Sequence, residues 1–223
     1  MQKEIITTAD GSHSIYVSEL KEHYHSINGA IQESEHVFIR AGLEAINPEI
    51  SNLQVLELGF GTGLNAFLTY LHQRNNPTRH IYYTGIEAYP LETEMAMRLN
   101  YPEQLGEDKE AAVFHLLHSS VWGEAVSIAS NFTITKITAP VQTLKLPCQY
   151  HLLYFDAFAP SVQPELWTAE VFTQMYEALL PQGILTTYCA KGVVKRTLKE
   201  VGFVVESIPG PKGKREMTRA IKP

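Results

Sequence analysis

The sequence predicts an α/β fold built on a mostly parallel sheet, and three observations carry that expectation. From residue 53 onward, short β-prone runs alternate with stretches of helical spacing. The run "HLLYF" (151–155) is almost continuously apolar, as a strand covered on both faces must be. A glycine-rich stretch, "LGFGTGLN" (58–65), joins the first of these strands to the first of these helices.

Taken in order, "KEIITTADGSHSIYV" carries an Asp10-Gly11 turn signal between two β-prone runs and predicts a hairpin. "HVFIRAGLEAI" (36–46) has Val37, Ile39, Leu43 and Ile46 at helical spacing, and Pro48 ends it. These two pieces form a small hairpin/helix extension, residues 1–50, ahead of a main domain at 51–223. "LQVLELG" then predicts a strand, "GLNAFLTYLHQR" a helix, "HIYYTGIE" a strand and "LETEMAMRLN" a helix. Residues 109–130 read as mainly helical, and "FTITKIT" (132–138) as a strand. "YHLLYFDAF" is the fourth strand, "AEVFTQMYEALL" (169–180) a helix closed by Pro181 and Gly183, and "ILTTYC" a strand. "GVVKRTLKEV" reads as helix and "GFVVESI" and "REMTRAIK" as strands. A strand that follows a strand implies a closing hairpin, hence one antiparallel edge strand in the parallel sheet.

Composition narrows the function classes. With 223 residues, 44% hydrophobic and 19% charged, the chain can bury a core without staples. No apolar run approaches the ~18–20 residues of a membrane span, and the N-terminus lacks the apolar centre of a signal peptide, so a cytoplasmic protein is expected. Cys148 and Cys189 form no paired motif and are expected to be free, buried thiols. The pairs His23-x-His25 and His115-x-x-His118 lack further ligands at zinc spacing, so no metal is expected. Net charge is −6, yet residues 190–223 hold nine basic side chains against three acids. That asymmetry fits either a polyanion footprint on an acidic body or an ordinary solvated basic segment.

The glycine stretch is the most informative. Gly59, Gly61 and Gly63 allow tight turning and close approach of a ligand to the backbone. The preceding strand is expected to end in Glu57 rather than in an apolar residue, and the next one in Glu87. A carboxylate at the tip of the second strand can accept hydrogen bonds from both hydroxyls of a ribose. The spacing departs from the dinucleotide fingerprint, which needs two residues before its last glycine. The E-x-G-x-G-x-G pattern instead resembles the first motif of Rossmann-like class I S-adenosylmethionine methyltransferases. That resemblance implies S-adenosyl-L-methionine as cofactor, held by Glu57, Gly59, Gly61, Gly63 and Glu87.

In open α/β sheets ligands gather beyond the carboxyl ends of the strands, which puts Asp156 beside the glycine loop, where substrate meets cofactor. "DAFAP" (156–160) resembles the Asp/Asn-Pro-Pro-aromatic loops of amino-group methyltransferases. An unperturbed aspartate titrates near ~4, too low for an efficient base toward an ammonium. Asp156 is therefore expected to position the amine, with Phe158, Trp167 or Tyr154 offering a π face.

Several stretches together resemble one family. "YHSINGAIQESEHVFIRAGL" (24–43), "LELGFGTGLNAFL", "IEAYPL", "YFDAFAPSVQPELWT" and "YCAKGVVKRTLKEVGFVVESIPGPKGKREM" are similar to the methyltransferase that completes 5-methylaminomethyl-2-thiouridine at the tRNA wobble position. The resemblance runs over roughly residues 15–218 in order. It implies methylation of the primary amine of 5-aminomethyl-2-thiouridine, with Asp156 catalytic and Phe158 and Pro160 shaping its loop. It also gives the basic segment a partner, tRNA, with Lys191, Lys195, Arg196, Lys214 and Arg215 as phosphate contacts. A separate FAD-dependent oxidase acting earlier is implied, with this chain a stand-alone unit. Two departures stand out: "KITAPVQTL" has no acid where the family has a Gly-Asp near the adenine, and the family's Asp-Gly-Phe is Asp156-Ala157-Phe158 here. The alternatives are a methyltransferase of small-molecule amines, against which the basic segment speaks, and an inactive binding module, against which the intact acids and glycines speak.

Overall fold

The computed structural model describes residues 2–223. Strands β1 (Lys3–Thr7) and β2 (His13–Val17) form the predicted antiparallel hairpin, and β3 (Glu22–His23) adds a third strand against β2. Asp10 fixes the turn by accepting from the Thr8 hydroxyl at 2.8 Å and the Ser12 backbone N–H at 3.0 Å. Helix α1 (Ala30–Ser34) begins before the predicted 36–46 segment and continues as a wider π-helical turn over Glu35–Arg40, then a tight turn over Leu43–Ala45. Val37, Phe38 and Ile39 of that turn are buried.

The large sheet follows. Its chain order is β4 (Asn52–Leu58), α2 (Leu64–Gln73), β5 (His80–Glu87), α3 (Thr93–Ala96), α4 (Tyr101–Gln104), α5 (Ala111–Ser119), β6 (Ala125–Ala129) and β7 (Phe132–Thr138). Then come β8 (Tyr150–Phe155), α6 (Ala169–Ala178), β9 (Leu179–Thr187), α7 (Gly192–Val201), β10 (Val204–Pro209) and β11 (Glu216–Ile221). The spatial order is β10-β11-β9-β8-β4-β5-β7-β6. Pairs β4·β5, β5·β7, β4·β8 and β8·β9 are parallel, while β11 lies antiparallel between β9 and β10. The predicted closing hairpin is thus present, its last strand inserted beside β9.

Alternating residues of each strand face two apolar layers, as the period of two requires. Val55, Tyr83, Leu152 and Tyr154 face a layer shared with α2, α5 and the N-terminal extension. Leu56, Ile86, Leu153 and Phe155 face α6 and α7, around Phe172, Met175 and Leu198. The chain progresses in opposite directions on either side of β4, so the switch point lies between β4 and β8.

Three segments differ from expectation. Residues 109–130 are not mainly helical: α5 ends at Ser119, Gly123 turns with φ of 84°, and β6 folds back antiparallel on β7. Val126 and Ile128 alternate with Ser127, a strand pattern too short to stand out beside the helix before it. The helix read over 91–100 shrinks to the single turn of α3. Strand β9 starts at Leu179 rather than Ile184, because Leu179 is buried against β8 and Pro181 cannot continue a helix. Cys189 is buried, but Cys148 is exposed on the loop before β8. Among the described residues no helix is long and apolar enough to cross a membrane.

Candidate active site

Leu58 pairs with Phe155 in the β4·β8 register, so Gly59 and Asp156 leave the sheet side by side. The Asp156 N–H donates to the Leu58 carbonyl at 2.9 Å. On the other side, the Gly59 and Phe60 N–H groups both donate to the Ile86 carbonyl, at 2.9 and 3.1 Å. Gly59, Gly61 and Gly63 all have positive φ. A methyl group on Gly59 would sit 2.3 Å from the Asp156 carbonyl oxygen, so only glycine lets the two strand ends approach this closely.

Glu87 staples the loop to β5. One carboxylate oxygen accepts from the Gly61 N–H at 3.0 Å, the other from the Tyr89 N–H at 3.0 Å. Each oxygen keeps a lone pair for a further donor. Above the loop lies a cavity of about 360 Å³ lined by Gly59, Gly61, Asn65, Glu87, Tyr89, Ala139, Asp156 and Phe158, within the size range of small-ligand sites. The N-terminal extension closes one side of it with Lys3, Leu20, Tyr24 and His25. Tyr24 packs edge-on against Phe158, with ring centroids 5.1 Å apart, so the two rings form one aromatic wall of the cavity.

Glu57 is fully buried and does not itself line the cavity. Asn65, on the first turn of α2, stands between it and the ligand space. Its side-chain nitrogen donates to Glu57 Oε1 at 2.9 Å and to Asp156 Oδ2 at 2.8 Å. Burial pushes the Glu57 carboxyl well above its ordinary value, with Asp156 and Glu87 adding to the rise. Asp156 is pushed up to about 7, first by burial and then by the Glu33 charge, against the Asn65 hydrogen bond and Lys214. The value near ~4 expected for an unperturbed aspartate does not hold here.

The aromatic candidates separate. Phe158 lines the cavity. Tyr154 is buried in the core with its hydroxyl 3.3 Å from Thr69, and Trp167 packs on Phe155 while donating its indole N–H to the Phe158 carbonyl at 2.8 Å. Trp167 therefore holds the loop and Tyr154 builds the core, and neither offers its ring to the cavity. The predicted histidine pairs also resolve. His25 Nε2 lies 2.7 Å from the Thr62 hydroxyl and His118 Nε2 lies 3.0 Å from the Thr62 carbonyl, so both brace the glycine loop. Burial lowers both to about 4, leaving them neutral at pH 7. Among the described residues no metal-binding cluster comes together.

A second, more open cavity of about 550 Å³ adjoins the same loop, lined by Pro160, Tyr188, Lys191, Lys214 and Arg215. Lys191, Arg196 and Arg215 are exposed. Lys195 is paired with Glu216 at 2.8 Å, and Lys214 with Glu33 at 2.7 Å, its ammonium 4.0 Å above the Tyr188 ring. The five predicted basic residues thus divide into three exposed side chains and two already engaged.

The cavity suits a cationic nucleoside ligand. Glu87 has free lone pairs toward it, and Asn65, which lines it, has a buried amide oxygen with no partner among the described residues. Sequence reasoning missed Asn65, Tyr24 and Thr62. Asn65 left one signal, an amide on the first turn of a helix whose neighbours are apolar. The extension's contribution left none.

Residues 116–223 match the model of a family of S-adenosyl-L-methionine-dependent methyltransferases. The tRNA 5-methylaminomethyl-2-thiouridine biosynthesis bifunctional protein MnmC of Ralstonia nicotianae is 30% identical over 207 residues, covering 90% of this chain and 32% of its own. That of Cupriavidus metallidurans is 31% identical over 232 residues, covering 97% of this chain and 33% of its own. The chain spans about a third of the length of these curated relatives. The crystal structure of MnmC2 from Aquifex aeolicus superposes with a TM-score of 0.78 at 25% identity, over 98% of this chain and 70% of that one. Spermidine synthase from Thermotoga maritima shares the fold, with a TM-score of 0.56 at 12% identity over 100% of this chain and 72% of that one. With the strand order, the glycine loop and the acid at the tip of β5 on the same scaffold, the chain belongs to the S-adenosylmethionine-dependent MnmC methyltransferase family.

Proposed function

We propose that this protein methylates the primary amine of 5-aminomethyl-2-thiouridine at the tRNA wobble position, giving 5-methylaminomethyl-2-thiouridine. One observation carries the reading. Asp156, a carboxyl lifted to about 7, lies on the wall of the donor cavity, and the loop it begins also lines the basic cavity. Donor, amine and phosphate would thus meet at one strand end.

Glu87 would hold the ribose hydroxyls, and the glycine loop would let the donor in close. Bound S-adenosylmethionine supplies an electrophilic methyl group on a sulfonium. Asp156 accepts an N–H of the substrate and aims the nitrogen lone pair at that methyl. Alignment of this kind can account for several kcal/mol of a barrier, about 7–11 in well-oriented systems. The amine arrives as an ammonium and must lose a proton before it can attack. At about 7, Asp156 lies roughly three units below an alkyl ammonium instead of six, so it can receive that proton as well as position the nitrogen. Phe158 and Tyr24 would together offer the base one aromatic wall. Residues 1–50 would act as a cap on the 51–223 domain, since Lys3, Leu20, Tyr24 and His25 face the cavity.

On the tRNA side, Lys191, Arg196 and Arg215 would contact phosphates directly. Lys195 and Lys214 would act through the ion pairs that fix the rim. The aminomethyl group has to be made first, and a separate FAD-dependent oxidase is the partner this reading assigns to that step.

The test is nucleoside analysis of tRNA carrying 5-aminomethyl-2-thiouridine after incubation with the purified protein and S-adenosylmethionine. The methylated nucleoside should appear. Efficient methylation of small amines with such tRNA left untouched would overturn the reading. Reversing Lys191 and Arg215 together should weaken tRNA binding and reduce its salt slope by about 1–2. Donor binding should be unaffected. An unchanged slope would remove this rim from the footprint.

A further inference from the structure

Glu57, near the end of β4, is fully buried, and Asp156, just past the end of neighbouring β8, is half-buried on the cavity wall. Two such groups repel when both are ionised, and each separately is disfavoured as an anion. Among the described residues, one side-chain donor serves both. Asn65 is 2% exposed, and its nitrogen lies 2.9 Å from Glu57 Oε1 and 2.8 Å from Asp156 Oδ2. An amide nitrogen has two hydrogens, and the Asn65 nitrogen end faces both acids, one hydrogen for each. The Asn65 backbone is itself pinned, since the Thr69 hydroxyl donates to its carbonyl at 2.7 Å. The amide oxygen has no partner among the described residues, and Asn65 lines the donor cavity.

We infer that Asn65 is a positioning residue of the transfer centre, whose one amide nitrogen clamps Asp156 beside Glu57. One hydrogen fixes the Asp156 carboxylate so that its remaining oxygen faces the amine. The other ties that geometry to β4, so the two strand ends move as a unit. A helix-capping or purely packing role would not place a donor on two separate acids.

The consequence is electrostatic as well as geometric. The clamp favours the charged form of Asp156, against burial and against Glu33 of α1. The other groups that face Asp156 are Glu57 of β4, Lys214 ahead of β11, Tyr188 after β9, Tyr83 of β5 and Tyr101 of α4. The phenols stay protonated, since burial raises each of them. The Asp156 charge adds to the rise of the Glu57 carboxyl, and the shared nitrogen donates to both.

The inference rests on Asp156 being the group that meets the amine, and the experiment separates the two. Carboxyl carbons are followed by NMR through a pH titration of the unliganded protein, with Asp156→Asn assigning the signal. In Asn65→Leu the Asp156 transition should move up by about one pH unit. In the tRNA assay the acid limb of kcat/KM should move with it, and turnover at pH 7 should fall about tenfold or more. Asn65→Ser, smaller and polar, serves if the leucine variant does not fold. A variant that loses thermal stability while both the carbon titration and the acid limb stay in place would overturn the clamp. Failure of the wild type on tRNA, with the titration shift still present, would overturn the proposed function and leave the clamp standing.

Discussion

Replacing Asp156 by alanine is expected to lower turnover on tRNA by about two to four orders of magnitude. Affinity for S-adenosylmethionine should stay within about threefold, because the ribose acceptor proposed above is Glu87, which the loop N–H groups of Gly61 and Tyr89 hold in place. Calorimetric titration beside a single-turnover assay separates these two effects. Equal loss in both would make Asp156 a cofactor or structural residue. Asp156→Asn adds a pH test whose sign is fixed. The folded-state value is about 7 against an ordinary 3.8, so the folded protein resists the charge. The contribution of Asp156 to stability is therefore complete below about pH 4 and is lost as pH rises through about 7. The asparagine variant lacks this loss. Its melting temperature should gain on the wild type between about pH 4 and 7. Activity should run the opposite way in the wild type, rising through pH 7 as the carboxylate forms. A gap in melting temperature that does not change with pH would show that Asp156 ionises freely.

Much of this arrangement is legible in the chain. A strand buried on both faces announces itself as an apolar run, which is why the strand ending before Asp156 lies where the sequence puts it, while β-branched Ile and Thr mark 132–138. Acids and glycines at strand ends are equally visible, since nothing about packing alone asks for Glu87 or Asp156 there. Edge structure is harder. Strand β6 is short, half-exposed and follows a helix without a strong break, so its pattern is swamped by its neighbour. The site's depth was not legible either. That Glu57 sits behind Asn65, that Tyr24 and His25 arrive from the extension, and that Lys214 is held by Glu33 are facts of tertiary contact between segments far apart in sequence. The Asp156 pKa belongs to the same class. Its cause is burial and the Glu33 charge that the fold brings near it, and a residue-by-residue reading assigns the ordinary aspartate value by default.

The second large effect concerns the backbone beneath that carboxylate. Gly59→Ala is expected to destabilise the protein by about 2–4 kcal/mol, for two separable reasons. Gly59 has φ of 93°, a conformation that L side chains rarely adopt, and its added methyl would lie 2.3 Å from the Asp156 carbonyl. Neither atom is the end of a flexible side chain. The β4 and β8 ends are held by the Asp156-to-Leu58 hydrogen bond at 2.9 Å, so relief requires them to part. Gly123 provides the control, because its φ of 84° is similar and nothing lies within 4 Å of its would-be methyl. Gly123→Ala should show the conformational cost alone, about 1 kcal/mol. Thermal denaturation reads the difference directly, at about 2–4 °C per kcal/mol for a chain of this size. The gap between the two variants measures how tightly the strand ends are held. Donor affinity and turnover should fall together in Gly59→Ala, because the parted strands carry the glycine loop on one side and Asp156 on the other. Matching melting temperatures for the two variants, with activity intact, would mean that the close approach of Gly59 to Asp156 is not what holds the site together.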